Sequence, residues 1–507
     1  MEERNLNLFK LKVVRVSTSK TTSETVKVSD FTIQNEVLKT ILREKYASFN
    51  TGLPDMNGNI ENFKLVKKDV DPYTVVSFNG GIKTEIKSKP VYLTYMVYDM
   101  DDNLKGSVLF NDRNSVGNYV AGGEYQALYS KSTGNYPEVY SVKRNNTTLP
   151  DNFLCPQLIT EENNIVNFRE NTLQNGQNVT YCPKIFWEAG YTLYQDIVNS
   201  QNYTVQEFFE FQTGNVNFIF NNGNTFNTIN FEISLVIIYE TESDDPVPSE
   251  DYISSNHVQA VNVYNKNNYS SIYDYNLAVR CDHGCTGGPE CCRTPGPQLY
   301  GIAYVNSAYA YKYEDQSCNY CIDAPNNFNI NNDDEFWFDM ITIAHEIGHQ
   351  FGLAHTWEQY SYPAQPILCP LQYGEPNSAS CSCSSTIMSY CFPPQVSEPR
   401  ISDSRLVTLN TQLGNEGQNM ICNILPNEPY LKLEIIDTNI IGPNFIYTIE
   451  LRDCDNNDWY EIETGLNYND FPKYLIISEL PFNANCYAYK VTVDGINAFC
   501  EGIENIN

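Results

Sequence analysis

The chain has 507 residues, of which 41% are hydrophobic, and 62 acidic residues against 32 lysines and arginines give it a formal net charge of −30. This length predicts two to four domains with sizeable cores. The negative charge excludes nucleic acid and anionic membrane surfaces as favoured partners, because both would repel it.

The first part of the chain is rich in strand-like segments. Residues 1–225 contain short apolar runs, such as that around 90–97, separated by Asn, Gly and Asp turns. They predict a β-rich N-terminal domain. The acidic, proline-containing stretch at 240–251 fits either a surface loop or a linker.

A central α/β domain, built on a twisted mixed sheet, is predicted for residues 226–425. Its expected elements include a strand at 231–239, a helix near 252–264 and a closing helix at 402–414. The apolar run around 233–239 is the longest in the chain and is typical of one buried strand. We therefore expect no membrane span, which needs about eighteen such residues.

A further helix is expected to begin after Asn332 or Asp333, which are suitable N-caps, and to end near Gly352. Apolar residues recur along it at helical spacing. They predict a buried face that anchors the helix, formed by Phe336, Met340, Ile343, Ala344 and Ile347.

This helix carries the most informative motif of the chain. Residues 345–355 have the sequence HEIGHQFGLAH, with three of the five histidines of the protein. On a helix, His345 and His349 project from the same face, one turn apart. Gly352 can end the helix in a left-handed conformation and bring His355 to the same point. Three imidazoles with a fourth position left to water predict a catalytic zinc site, whereas a bare HExxH alone would fit an ordinary exposed helix face.

A second feature lies downstream. Residues 385–391 have the sequence STIMSYC, and a tight turn there would place the thioether of Met388 beneath the metal ligands. Taken alone, such a methionine is most often part of a core.

The two features together resemble the metzincin metalloproteases, and among them the reprolysin-like or adamalysin family. The likeness spans roughly residues 226–425. Thr356 follows the third histidine where animal adamalysins usually carry aspartate, so the subfamily is left open. The residues that carry the resemblance are FDMITIAHEIGHQFGLAHTW at 338–357, EPNSASCSCSSTIMSYC at 375–391 and GIAYVN at 301–306.

The resemblance implies a zinc-dependent endopeptidase that hydrolyses peptide bonds of protein or peptide substrates. One catalytic zinc would be held by His345, His349 and His355. Glu346 would act as the general base on the zinc-bound water and then pass the proton to the leaving amine. Calcium is compatible with such a domain, but no site for it can be identified from the sequence.

Two further features of the substrate site follow from the resemblance. The strand expected at Gly301, Ile302, Ala303 and Tyr304 corresponds to the family's upper-rim strand, which pairs with extended peptide; an ordinary internal strand is the alternative. Tyr390 lies where the astacin branch places a tyrosine near the oxyanion or the metal. A hydrogen-bonded wall of the turn is the other interpretation of Tyr390.

The position of residues 1–225 before a protease suggests a propeptide that covers the cleft. In this family a propeptide cysteine can occupy the fourth zinc position, and Cys155 or Cys182 would be available for it. A disulfide between these two cysteines is the preferred alternative. The segment 281–292, with Cys318 and Cys321, fits disulfides better than a second zinc site.

The last part of the chain, residues 426–507, consists of four strand-like runs at about ten-residue spacing, which predicts a small all-β sandwich. Such a domain binds partners in some proteins and only stabilises its neighbour in others.

Sixteen cysteines fall in even-numbered groups, so disulfides could close within each region, and this density of cysteines favours an oxidising compartment. The first residues lack the apolar core of a recognisable signal peptide. An extracellular or virion-associated location reconciles these observations. The rival interpretation is a structural or adhesive protein, such as a virion component, that keeps a protease fold as a scaffold.

Overall fold

The chain forms two compact units, residues 1–422 and 423–507. Within the described ranges, no helix is long and apolar enough to cross a membrane. The computed structural model describes residues 4–18, 25–113, 115–130, 139–144, 153–154, 157–158, 179–200, 204–247, 255–269, 272–282, 298–299, 301–304, 308, 317–321, 335–353, 387–388, 400–422, 430–433, 447–453, 459–466, 473–476, 486–493 and 496–505.

The first unit begins with strands that form a ten-stranded sheet in the order β1-β4-β5-β8-β9-β10-β11-β12-β3-β2. Neighbours are antiparallel except β1 and β4. Helix α1, Asn35–Glu44, buries Leu38 and Ile41 against the sheet core. Strands β6 and β7 lie between these strands in the chain but belong to a second sheet. The bounds of the first twelve strands are β1 Asn5–Leu6, β2 Phe9–Thr18, β3 Thr25–Ile33, β4 Ser48–Pro54, β5 Ile60–Lys68, β6 Tyr73–Asn79, β7 Ile82–Ser88, β8 Leu93–Tyr98, β9 Leu104–Phe110, β10 Ser115–Ala121, β11 Glu124–Ser130 and β12 Val139–Arg144.

A second sheet of eight strands has the order β14-β21-β22-β19-β16-β18-β6-β7. The five strands from β22 to β6 are parallel, and β21 and β7 are antiparallel to their inner neighbours. The additional strands of this unit are β13 Phe153–Leu154, β14 Gln157–Leu158, β15 Thr180–Tyr181, β16 Lys184–Ala189, β17 Thr228–Ile229, β18 Glu232–Tyr239, β19 Leu277–Asp282, β20 Gln298–Leu299, β21 Gly301–Tyr304 and β22 Ser317–Cys321.

Strand β16 lies near the middle of this sheet, between β18 and β19. Ile185, Phe186 and Trp187 are fully buried, because both faces of a central parallel strand are covered. Strands β6, β7, β14 and β16 all precede residue 225, yet they share the sheet with strands that follow it. The sheet therefore crosses the position at which the sequence analysis separated an N-terminal from a catalytic domain.

Helices cover this sheet: α2 Tyr191–Ser200, α3 Val205–Asn221, α4 Ser255–Asn268, α5 Glu335–Gln350 and α6 Asp403–Glu416. The strand expected at 231–239 is confirmed as β18, and the helices expected near 252–264 and at 402–414 are confirmed as α4 and α6. The fold of this unit is mixed α/β.

Helix α3 joins the two sheets. It contacts β9 and β10 of the ten-stranded sheet, β18 of the eight-stranded sheet, and helix α5. A capping box between Thr204 and Glu207 starts it. The buried carboxylate of Glu210 accepts hydrogen bonds from Tyr73 Oη at 2.6 Å and from the amides of Val91 at 2.8 Å and Tyr92 at 2.9 Å. Desolvation raises the pKa of Glu210, and these three donors compensate the burial of its carboxylate.

A disulfide joins Cys182 to Cys422, which are 240 residues apart. The bond lies between the start of β16 and the end of the segment after α6, where the Cys422 amide also donates to Thr180 O at 2.9 Å. The expected pairing of Cys155 with Cys182 is therefore wrong, and so is closure of every disulfide within its own region. Cys155 lies outside the described residues.

The second unit is described only as strands, in two antiparallel sheets: β23-β26 and β25-β24-β27-β28. Ile449, Leu451 and Ala488 are buried. The guanidinium of Arg452 stacks 5.0 Å from the ring centroid of Trp459. The bounds are β23 Tyr430–Leu433, β24 Tyr447–Asp453, β25 Tyr460–Leu466, β26 Lys473–Ile476, β27 Cys486–Val493 and β28 Ile496–Asn505.

Replacing Cys182 and Cys422 together with serine is expected to lower the free energy of unfolding by about 2–5 kcal/mol, because the bond closes a very long loop in the unfolded chain. Urea denaturation followed by fluorescence measures the change. The double replacement removes both partners of the bond, so neither is left as a thiol that could pair with another cysteine. Equal unfolding midpoints for the variant and the parent protein would show that the bond adds no stability.

Candidate metal centre

Helix α5 carries two of the three predicted metal ligands, His345 and His349. Ile343, Ala344 and Ile347 are fully buried in the main core of the first unit, as the helical spacing predicts. The helix contacts β21, β22 and α3. It is fixed by packing on several sides, so its polar residues are held in place by the core. The expected N-caps, Asn332 and Asp333, lie outside the described residues.

His345 and His349 come together one turn apart on this helix. Their ring centroids are 4.6 Å apart and the ring planes make an angle of 87°. His345 is 2% exposed, whereas His349 and the intervening Glu346 are fully buried. Two imidazoles and a carboxylate are unusual on the buried face of a helix, because buried polar groups need hydrogen-bond or charge partners.

Each imidazole is oriented by a backbone carbonyl. Nδ1 of His345 lies 2.7 Å from Ile387 O, and Nδ1 of His349 lies 2.7 Å from Leu353 O. A carbonyl oxygen only accepts, so each Nδ1 carries the proton and donates. The neutral ring then has its lone pair on Nε2, which is the form in which histidine binds a metal ion.

The carbonyl that orients His349 is placed by the way in which α5 ends. Gly352 has a φ of +76°, which confirms the predicted left-handed residue. Its amide donates to His349 O at 2.7 Å, and the Leu353 amide donates to Gly348 O at 2.9 Å. These two bonds define a Schellman motif. The reversal brings Leu353 O back over the imidazole of His349.

The turn at Ile387–Met388 orients the other histidine. Ile387 O accepts from His345, while the Ile387 amide donates to Arg400 O at 3.0 Å. The side chain of Met388 is fully buried against α5 at Gly348. A Cβ atom at position 348 would lie only 2.5 Å from Met388 Sδ, so a larger residue there would displace the side chain of Met388.

Two of the predicted site residues, His355 and Tyr390, lie outside the described residues. Among those that are described, His345 and His349 are not joined by a further His, Cys, Asp or Glu to form a group of three. Two neutral imidazoles with aligned Nδ1 donors fit zinc, which accepts nitrogen ligands readily.

The predicted substrate strand, residues 301–304, is present as β21. Its inner neighbour is β22 and its outer neighbour is β14, which runs parallel to it with Gln157 opposite Ala303 and Leu158 opposite Tyr304. Strands β13 and β20, which precede β14 and β21 in the chain, also pair in parallel. In this structure a segment from the N-terminal region therefore lies along the side of β21 on which a substrate peptide was expected.

Several groups that shape the site were missed by the sequence analysis: the carbonyls of Ile387 and Leu353, and Gly348. Every residue has a backbone carbonyl, so the sequence does not show which carbonyls orient the two histidines. Gly348 did carry a signal, because a glycine inside a helix costs about 1 kcal/mol relative to alanine and usually has a packing reason.

Comparison with known proteins places part of the chain in context. Residues 290–416, about a quarter of the chain, match the family model described as metallopeptidase family M12B, reprolysin-like. A search of curated proteins gives no match. Among solved structures, metalloproteinase-II from Bacteroides fragilis is similar, with 10% identity, a TM-score of 0.39, and coverage of 74% of this chain and 95% of that one. The resemblance noted in the sequence is thereby confirmed, and residues 290–416 carry the sequence pattern of a reprolysin-like metallopeptidase of family M12B.

Proposed function

We propose that the protein is a zinc-dependent endopeptidase. The observation that carries the proposal is the pair of buried imidazoles on α5, each with Nδ1 held by a backbone carbonyl and the two rings 4.6 Å apart. A purely structural histidine pair has no need for two separate turns that fix the same tautomer. The reprolysin-like match over residues 290–416 supports the same conclusion.

His345, His349 and His355 would hold the ion, with Met388 packed beneath α5. When bound, zinc acidifies water and polarises the carbonyl of the scissile peptide bond. Glu346 lies beside the first ligand in the chain and is fully buried. In such a water-poor site its carboxylate accepts the proton of the attacking water and then delivers it to the leaving amine.

Substrate would bind along β21, where backbone hydrogen bonds hold an extended peptide without specifying its sequence. Strand β14 pairs with this side of β21 at Ala303 and Tyr304. We therefore propose that β13 and β14 obstruct substrate pairing and must be displaced before cleavage. In this proposal the protein is a zymogen in which only β13 and β14 of the N-terminal region are displaced. Strands β6, β7 and β16 stay in the eight-stranded sheet.

The Cys182–Cys422 disulfide supports an oxidising, extracellular or virion-associated location. Thiol labelling of protein from its native source is expected to leave both cysteines unmodified until a reductant is added. Ready labelling without reductant would contradict this location.

Replacing Glu346 with glutamine is expected to reduce casein cleavage by about a hundredfold or more, since a general base contributes about 10²–10⁴ in rate. Zinc content, measured by mass spectrometry of the native protein, should stay at one ion per chain. A variant that keeps its activity would rule out Glu346 as the base. A parent protein that binds zinc but cleaves nothing, even with β13 and β14 disrupted, would favour the scaffold interpretation.

Replacing Gly352 with alanine is expected to destabilise the fold by about 1–2 kcal/mol, because a side chain is strained at positive φ. It should also weaken zinc binding by about tenfold or more, since Leu353 O would no longer align His349. Chelator competition measures the zinc affinity.

Gly123 provides a matched control, because its φ of +75° is nearly the same and a Cβ there would meet no atom within 4 Å. Gly123→Ala should lose similar stability and keep its zinc affinity. Equal zinc affinities in the two alanine variants would show that the helix end does not position the ligand. Gly352→Asn should retain more affinity than Gly352→Ala, because asparagine tolerates the left-handed conformation.

Replacing the four residues of β13 and β14 with glycine is expected to increase the rate of peptide cleavage severalfold, because the competing strand pairing is weakened. The control is the same treatment of β1, Asn5 and Leu6, which is also a two-residue parallel strand but pairs in the other sheet. Glu346→Gln in the same background should abolish the gain. An unchanged rate would mean that β14 does not obstruct the substrate.

A further inference from the structure

Strand β7 is the outermost strand of the eight-stranded sheet, and among the described residues no strand pairs with its outer side. Every residue from Ile82 to Lys87 is exposed. Ile82 is 69% exposed and Ile86 is 52% exposed. An uncovered edge strand with large apolar side chains is a template for pairing with another strand.

The two faces of β7 differ sharply. Ile82, Thr84 and Ile86 lie on one face, and Ile86 stands opposite the buried Val75 of β6 on that face. Ile86 thus continues the apolar side of Val75 towards the edge, whereas Ile82 stands opposite Asn79, and both isoleucines are exposed.

The opposite face carries charges. Lys83 Nζ lies 2.9 Å from Glu85 Oε2, and Glu85 also accepts from Tyr273 Oη at 2.8 Å. About half of each charged side chain is exposed, with 47% for Lys83 and 45% for Glu85. The pair is anchored at one end by Tyr273 and presents opposite charges along the open edge.

We propose that β7 pairs with β7 of a second copy of this chain. In an antiparallel arrangement centred on Thr84, each Ile82 lies opposite Ile86 of the other copy, and each Lys83 lies opposite Glu85. Directly opposed apolar residues and opposite charges both stabilise strand pairs. The two-fold axis creates every contact twice and joins the two sheets into one.

Neighbouring registers are less favourable. Centring the pair on Glu85 would oppose the two Glu85 carboxylates and set Lys83 opposite Lys87, and like charges directly opposed destabilise a strand pair. Centring it on Ile86 would match Glu85 with Lys87 but would set Lys83 opposite Lys89. The register centred on Thr84 is the one in which all opposed charges attract.

Sedimentation equilibrium of the full chain tests the proposal at physiological ionic strength. The weight-average mass is expected to rise from 57.9 kDa towards twice that value with concentration up to about 100 µM. Lys83→Glu should weaken the dimer by about tenfold or more, because two attractive pairs become repulsive. Combining Lys83→Glu with Glu85→Lys restores opposite charges across the axis and should recover the dimer.

The charge exchange also reports on the register, since in the arrangement centred on Ile86 it would place two lysines opposite each other and prevent recovery. Lys39→Glu on the exposed face of helix α1 is the control for net charge and should leave the mass unchanged. Circular dichroism of each variant checks that the monomer is folded. The proposal would be overturned if the parent protein stayed monomeric up to about 100 µM. It would also be overturned if neither Lys83→Glu nor the combined variant changed the dimer affinity.

Discussion

Helix α3 is buried on all sides, and the rest of the first unit depends on this burial. Both large sheets and helix α5 pack against it. Among the described residues, the donors to its buried Glu210 are Tyr73 on a strand of the N-terminal region and Val91 and Tyr92 in the segment between two such strands. Removing those strands would therefore leave an uncompensated carboxylate next to the helix that positions α5. Strand β6 and the segment before β8 thus belong to this buried arrangement, and another part of the N-terminal region, β14, lies beside β21.

The two histidines proposed as metal ligands are oriented by the fold itself. Two turns, one ending α5 and the other containing Met388, each supply one carbonyl to one imidazole. The conformational entropy of the two imidazoles is thus already lost on folding, so binding of the proposed ion would not have to compensate for it. The side chain of Met388 packs against α5 at Gly348, where a Cβ atom would lie 2.5 Å from Met388 Sδ.

Local patterns in the sequence predicted much of this region, and distant pairings were not predictable. Spacing alone located helix α5, the left-handed Gly352 and strand β18, because helix and strand periods act over a few residues. Nothing local indicates that β6 pairs with β18, that β14 lies beside β21, or that Cys182 bonds to Cys422. These contacts join residues far apart in the chain, and their partners are chosen by the fold as a whole.

The link between Cys182 and Cys422 encloses β18, α5 and the turn at Met388 within one covalent ring of the chain. A single hydrolytic cut of the backbone inside this ring would leave one covalently joined molecule, heavier only by one water. The two pieces would separate only after reduction. Such cuts could thus accumulate in an oxidising medium without release of α5 from the molecule. A non-reducing gel would not reveal them.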